Sequence, residues 1–89
     1  MKYYAALLRM KDLEKNASFR QQHLDFLTQK DGEGKIFARG RFTDGGGLVI
    51  YVASSFEEAE QIAKIDPYVT SGARTLELYE WEMKVSPNK

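Results

Sequence analysis

The sequence reads as strand, helix, strand, strand, helix, strand, an order that predicts an α+β protein of the ferredoxin-like βαββαβ type with a four-stranded antiparallel sheet. Three observations carry that expectation. Four strand-length runs are rich in apolar residues. A helix-start signal precedes an amphipathic stretch after the first run and again after the third. Thr43-Asp44-Gly45-Gly46-Gly47 lies between the two middle runs, as a hairpin turn would. The 89 residues are expected to form one domain, residues 1–89, with Ser86 to Lys89 as a frayed tail.

The first strand is expected over Tyr3 to Met10, where both alternation phases are apolar: Tyr3, Ala5 and Leu7 on one, Tyr4, Ala6, Leu8 and Met10 on the other. A strand with two apolar faces is covered on both. Lys11 to Asn16 is polar and reads as a loop. Ser18, with Gln21 three residues on, is the expected cap of a helix that runs to about Lys30 and stops at Asp31-Gly32-Glu33-Gly34. Phe19, Phe26 and Leu27 form its inward stripe, flanked by Leu24. His23, four residues after Phe19 and three before Phe26, shares that stripe.

Lys35 to Phe42 is the second strand, with Ile36, Ala38, Gly40 and Phe42 in one phase and Arg39 and Arg41 in the other. Leu48 to Ala53 is the third, apolar in both phases and so expected at the sheet centre. Ser55-Phe56-Glu57-Glu58 has the form of a capping box, and the helix it opens has the stripe Phe56, Ala59, Ile62 and Ala63. Three more residues along that stripe stands Asp66. Pro67 ends the helix, and Tyr68 to Gly72 reads as a connector. Arg74 to Val85 is the last strand. Its apolar phase changes midway, from Leu76 and Leu78 to Tyr79, Trp81, Met83 and Val85, which implies a bulge or two ends buried on opposite faces.

Helices on one face of such a sheet leave the other face apolar and aromatic. A chain this small buries only about 60–65% of its unfolded surface. Both points lead to the expectation of a homodimer, two copies stacked sheet to sheet.

Composition narrows the function. Thirteen basic and thirteen acidic residues cancel, which argues against an electrostatic footprint for nucleic acid or an anionic membrane. No apolar run approaches the roughly 20 residues of a membrane span, and the N-terminal segment lacks the features of a signal peptide. The cytosol is the expected compartment. With no cysteine and one histidine, a metal site is not expected.

His23 is therefore the only imidazole available for proton chemistry, a task suited to a group whose ordinary pKa is about 6.5. It could equally be a core-edge residue satisfied by a carbonyl. Asp66, acidic on an inward stripe, needs a partner. It could orient the imidazole or cap the turn that follows it. Arg9, Arg20, Arg39 and Arg41 are candidates for an anion site, with Arg20 one turn before His23, while Arg39 and Arg41 fit a solvated basic face somewhat better. Tyr68, after Asp66-Pro67, is the aromatic best placed to line a pocket. Asp44 and the glycines beside it are accounted for by turn chemistry.

Arg20-Gln21-Gln22-His23-Leu24, Gly40, and Asp66-Pro67-Tyr68 followed by Gly72 resemble the YciI-like (YCII-related) family of small bacterial proteins. The resemblance runs from Tyr3 to about Val85. It implies a ferredoxin-like fold paired as a dimeric α+β barrel and a cleft in which His23 and Asp66 form a catalytic dyad, with Gly40 at the pocket rim. Many members carry Gly-Pro at the end of the second strand. Here Arg41 follows Gly40 and the hairpin is short, so the rim differs. The expected function is proton transfer, isomerisation or lyase or dehydrohalogenase-type chemistry on a small metabolite, possible without a cofactor, with Arg9 or Arg20 holding an anionic group. The alternatives are a non-catalytic ligand-binding or regulatory dimer, and a purely structural one.

Overall fold

The computed structural model describes residues 1–87. Seven elements follow one another: β1 (Lys2–Met10), α1 (Leu13–Gly32), β2 (Ile36–Arg41), β3 (Gly47–Ala53), α2 (Phe56–Lys64), a one-turn α3 (Pro67–Thr70) and β4 (Arg74–Trp81). The strands form one antiparallel sheet in the order β2-β3-β1-β4. This is the ferredoxin-like arrangement expected, with the two most apolar strands at its centre. Of the tail, Ser86 and Pro87 are exposed and belong to no element, while Asn88 and Lys89 lie outside the described residues.

α1 begins at Leu13, not near Ser18. Asp12 caps it, its carboxylate accepting the Lys15 amide at 3.0 Å. The amides of Lys11 and Asp12 both donate to the Ala73 carbonyl, which ties the start of α1 to the start of β4. Of the residues expected as a loop, Leu13 to Asn16 form the first turn of this helix. α2 begins at its Ser55 cap as expected, the Ser55 hydroxyl accepting the Glu58 amide at 3.1 Å. Glu58 reaches back to the amide of Ser54, at 2.7 Å, rather than to that of Ser55. In the hairpin, Gly46 has φ +78°, and a Cβ there would stand 2.6 Å from the Leu8 carbonyl oxygen, so the close approach of turn and β1 requires glycine.

The core lies between the sheet and the helices. Tyr4, Ala6 and Leu8 of β1 and Val49, Tyr51 and Ala53 of β3 meet Leu27 of α1 and Ala59 and Ala63 of α2. Each large side chain buried there contributes roughly 1.5–3 kcal/mol. The other face of the sheet is open within the protomer. Tyr79 and Trp81 are 53% and 45% exposed on it, and Phe37 of the opposite edge strand 48%.

Two details of strand phase differ from expectation. β4 pairs with β1 without interruption from Met10↔Arg74 to Tyr3↔Trp81, so its change of phase is not a bulge. Leu76 and Leu78 face the helices, opposite Leu8 and Ala6, and Tyr79 and Trp81 face the open side. The strand ends at Trp81, paired with Tyr3, rather than at Val85. The bulge is in β2. Ile36 pairs with Tyr51 and Ala38 with Ile50, leaving Phe37 as the extra residue. Phe37 packs edge-on against Tyr3, with centroids 5.1 Å apart. Beyond it the alternation is inverted: Ala38 and Gly40 turn to the open face, and Arg39 and Arg41, opposite Val49 and Gly47, turn to the helix side with Ile36.

Candidate active site

α1 presents His23 toward α3, and α2 ends two residues before Asp66. Both side chains are buried, His23 6% exposed and Asp66 0%. His23 Nδ1 and Asp66 Oδ1 are 2.8 Å apart. The same oxygen accepts the backbone N–H of Tyr68 at 2.9 Å. Asp66 is thus both the N-cap of α3 and the partner of the imidazole, so the two roles open to it in the sequence are filled at once. An ionised carboxylate can only accept, so Nδ1 carries the proton and Nε2 presents its lone pair. Asp66 Oδ2 is buried with no hydrogen-bond partner among the described residues.

Tyr68 stacks on His23, with ring centroids 3.9 Å apart and planes 19° from parallel. The guanidinium of Arg74 lies 4.1 Å from the centre of the same Tyr68 ring. One ring face cannot hold both groups at those distances, so Tyr68 is sandwiched between them. Arg74 also donates its Nε–H to Asn16 Oδ1 at 2.8 Å. Burial pulls its guanidinium below the ordinary value, opposed by the nearby Tyr68 and Asp66. Tyr51, next to Tyr4 across the strands, has its phenol pushed up by burial and, second, by the charge of Asp66.

These residues sit at a cleft of about 240 Å³ between α1 and the β2–β3 edge of the sheet. His23, Tyr68 and Arg74 line it together with Arg20, Gly40 and the pair Arg39 and Arg41. Among the described residues no Asp or Glu lines it. Arg39 is already held by Asp31, through Nε at 3.0 Å and a terminal amino group at 2.9 Å. Among the described residues no group of three His, Cys, Asp or Glu side chains gathers as a metal site.

Of the residues singled out in the sequence, the fold brings His23, Asp66, Tyr68, Arg20 and Gly40 to one place. Arg9 is not among them. It shares the open sheet face with Leu7 and is paired with Glu77, because an odd-numbered residue of β1 points away from the helices. Arg39 and Arg41 are exposed, as a solvated basic face requires, and also line the cleft, a consequence of the Phe37 bulge. Arg74 and Asn16 were not anticipated. A signal existed for Arg74, since it stands in phase with Leu76 and Leu78 and is thus a cation on an inward phase. Asn16 stands seven residues before His23 on a helix whose start was set too late.

Fold and site together define an α+β protein with a buried histidine–aspartate pair at the floor of an arginine-lined cleft. The chain belongs to the YCII-related domain family, whose model matches residues 1–82. It is 34% identical over 83 residues to the uncharacterized protein YjpA of Bacillus subtilis (strain 168), the match covering 92% of this chain and 98% of that one. Among solved structures it is similar to the 5-chloro-2-hydroxyhydroquinone dehydrochlorinase of Burkholderia phenoliruptrix AC1100 in complex with 2,5-dihydroxybenzoquinone. The TM-score is 0.78 at 19% identity, over 92% of this chain and 95% of that chain, a likeness of fold. No helix among the described residues is long and apolar enough to cross a membrane.

Proposed function

We propose that this chain is a small cytosolic enzyme that moves a proton on a small metabolite, with His23 as general base and acid and Asp66 as its orienting carboxylate. The observation that carries this reading is the 2.8 Å contact between His23 Nδ1 and a fully buried Asp66. Asp66 fixes the tautomer, and its charge compensates the imidazolium formed when Nε2 takes a proton. The imidazolium then returns the proton to another position of the substrate, which is isomerisation, or releases it to solvent once an anionic group has departed, which is elimination. The similar dehydrochlorinase supports the elimination variant, in which a proton and chloride leave a hydroxylated ring.

The enzyme acts as a homodimer paired through the open sheet face. Its exposed aromatic residues support this, as does the barrel assembly that the family resemblance implies.

The test is a turnover screen over small hydroxylated, halogenated and carbonyl compounds with wild type, His23→Gln and His23→Ala. Turnover of at least one compound is expected, lost by about 100-fold or more in both variants. Turnover that survives both substitutions excludes the dyad. Ligand binding without any turnover selects the non-catalytic alternative.

A further inference from the structure

We infer that the cleft takes a small organic acid, and that Arg74 is the anchor for its carboxylate. This deepens the reading of the cleft as a substrate site. Arg74 is only 8% exposed, yet no carboxylate among the described residues pairs with it. The nearby Asp66 has its Oδ1 committed to His23 and to the Tyr68 amide. A guanidinium taken out of water with no carboxylate in contact is costly, and the charge of Asp66 nearby offsets that cost only in part. An incoming anion removes that cost, and a neutral ligand does not.

The geometry sorts anions further. With Nε tied to Asn16 and one face against Tyr68, Arg74 offers only the edge formed by its two terminal amino groups. Two parallel N–H donors match the two oxygens of a carboxylate. Gly47 makes room for that edge, since a Cβ there would lie 3.2 Å from Nη1. Arg20 and Arg41 at the mouth have no ion-pair partner among the described residues and add positive potential. Every arginine without an ion pair among the described residues thus lies at this one cleft, in a chain of zero net charge. The cleft volume, about 240 Å³, falls below the roughly 300–1,000 Å³ of sites for drug-sized ligands and fits a compact molecule. Tyr68 keeps guanidinium and imidazole apart, so the acid group and the atom facing His23 Nε2 are different ends of the ligand.

Benzoate and its neutral isostere benzamide test this by calorimetric titration of the full chain. Benzoate is expected to bind at least about tenfold more tightly than benzamide, and less tightly as salt is raised. Arg74→Gln and Arg74→Lys are expected to weaken benzoate by about 10- to 100-fold, the lysine because it lacks the planar fork. Lys64→Gln, on the far side of α2, is expected to leave affinity unchanged. Should Arg74→Gln fail to fold by circular dichroism, the double variant Arg20→Gln/Arg41→Gln replaces it, and it too must weaken benzoate. The proposal is overturned by equal affinity for benzoate and benzamide, by no benzoate binding below roughly 10 mM, or by unchanged affinity in the folded arginine variants. Benzoate affinity in the arginine variants reports the anchor and turnover in the His23 variants reports the dyad, so loss of the one and loss of the other are read in separate experiments.

Discussion

The rings of His23 and Tyr68, 45 positions apart in the sequence, lie face to face, 3.9 Å between centroids and 19° between planes, and both residues hydrogen-bond to Asp66 Oδ1. The stack holds the imidazole in plane while the carboxylate holds it at Nδ1. Orientation of His23 therefore rests on two contacts, both supplied by the short segment that opens α3.

Tyr68→Phe preserves the ring and is expected to keep turnover close to wild type. Tyr68→Leu removes the stack and the seat of Arg74. It is expected to lower turnover by on the order of 10- to 100-fold, and to cost about 0.5–1.5 kcal/mol of stability for the aromatic pair. Steady-state kinetics and urea unfolding on the two variants check this; equal kinetics in both would deny the stack its positioning role.

Asp66→Ala is expected to destabilise the fold by roughly 2–4 kcal/mol, from a lost helix cap and a buried imidazole N–H left without an acceptor. Asp66→Asn keeps an oxygen for both donors and is expected to stay within about 1 kcal/mol of wild type, while turnover falls because the imidazolium loses its counter-charge. Chemical denaturation beside the turnover assay separates the two effects. Equal destabilisation by alanine and asparagine would contradict the shared-oxygen account.

Tyr51 governs an alkaline limit. Its phenol is held above the ordinary value of 10.0 by burial and by Asp66. Above pH 10 the unfolded chain releases this proton and the folded chain does not, so stability falls as pH rises. Tyr51→Phe has no proton to release. Wild type is expected to lose about 1.4 kcal/mol more than the variant for each pH unit above 10, until the folded phenol ionises. Denaturation midpoints measured at pH 9 and pH 11 give the comparison, and parallel losses in both proteins would refute it.

Trp81→Glu addresses the assembly. Wild type is expected to sediment at twice the chain mass. A charge on the open face, beside Tyr3 and opposite the helices, is expected to yield folded monomer. Wild type that sediments as a monomer at micromolar concentration would remove the dimer from the proposal.

The element order, the central pair of strands and the inward placement of His23 were legible because each rests on local periodicity: apolar alternation in β1 and β3, and the 3.6-residue spacing of Phe19, His23, Phe26 and Leu27. Asp66 was legible as an acid that needed a partner. Which partner it takes depends on how α3 folds against α1, and that contact is not local. The start of α1 was missed because Asp12 caps it where no apolar stripe has begun. Arg9 and the Arg39–Arg41 pair changed places for a single reason, the side of the sheet each faces. For Arg9 simple alternation from Tyr4, Ala6 and Leu8 gives the side. For the pair it does not, because one unpaired residue intervenes, and Phe37 carries no turn or glycine signal that would mark it.

That extra residue in an edge strand has a consequence for how such proteins diversify. Passing that extra residue on to the hairpin loop, so that Phe37 pairs with Ile50 and Ala38 with Val49, would swing two guanidinium groups to the opposite surface and deliver Ala38 and Gly40 to the cleft mouth. The core, the imidazole and its carboxylate would be untouched. Ligand charge preference can therefore be rewritten by a one-residue slip of register at the periphery, leaving the proton-transfer machinery in place.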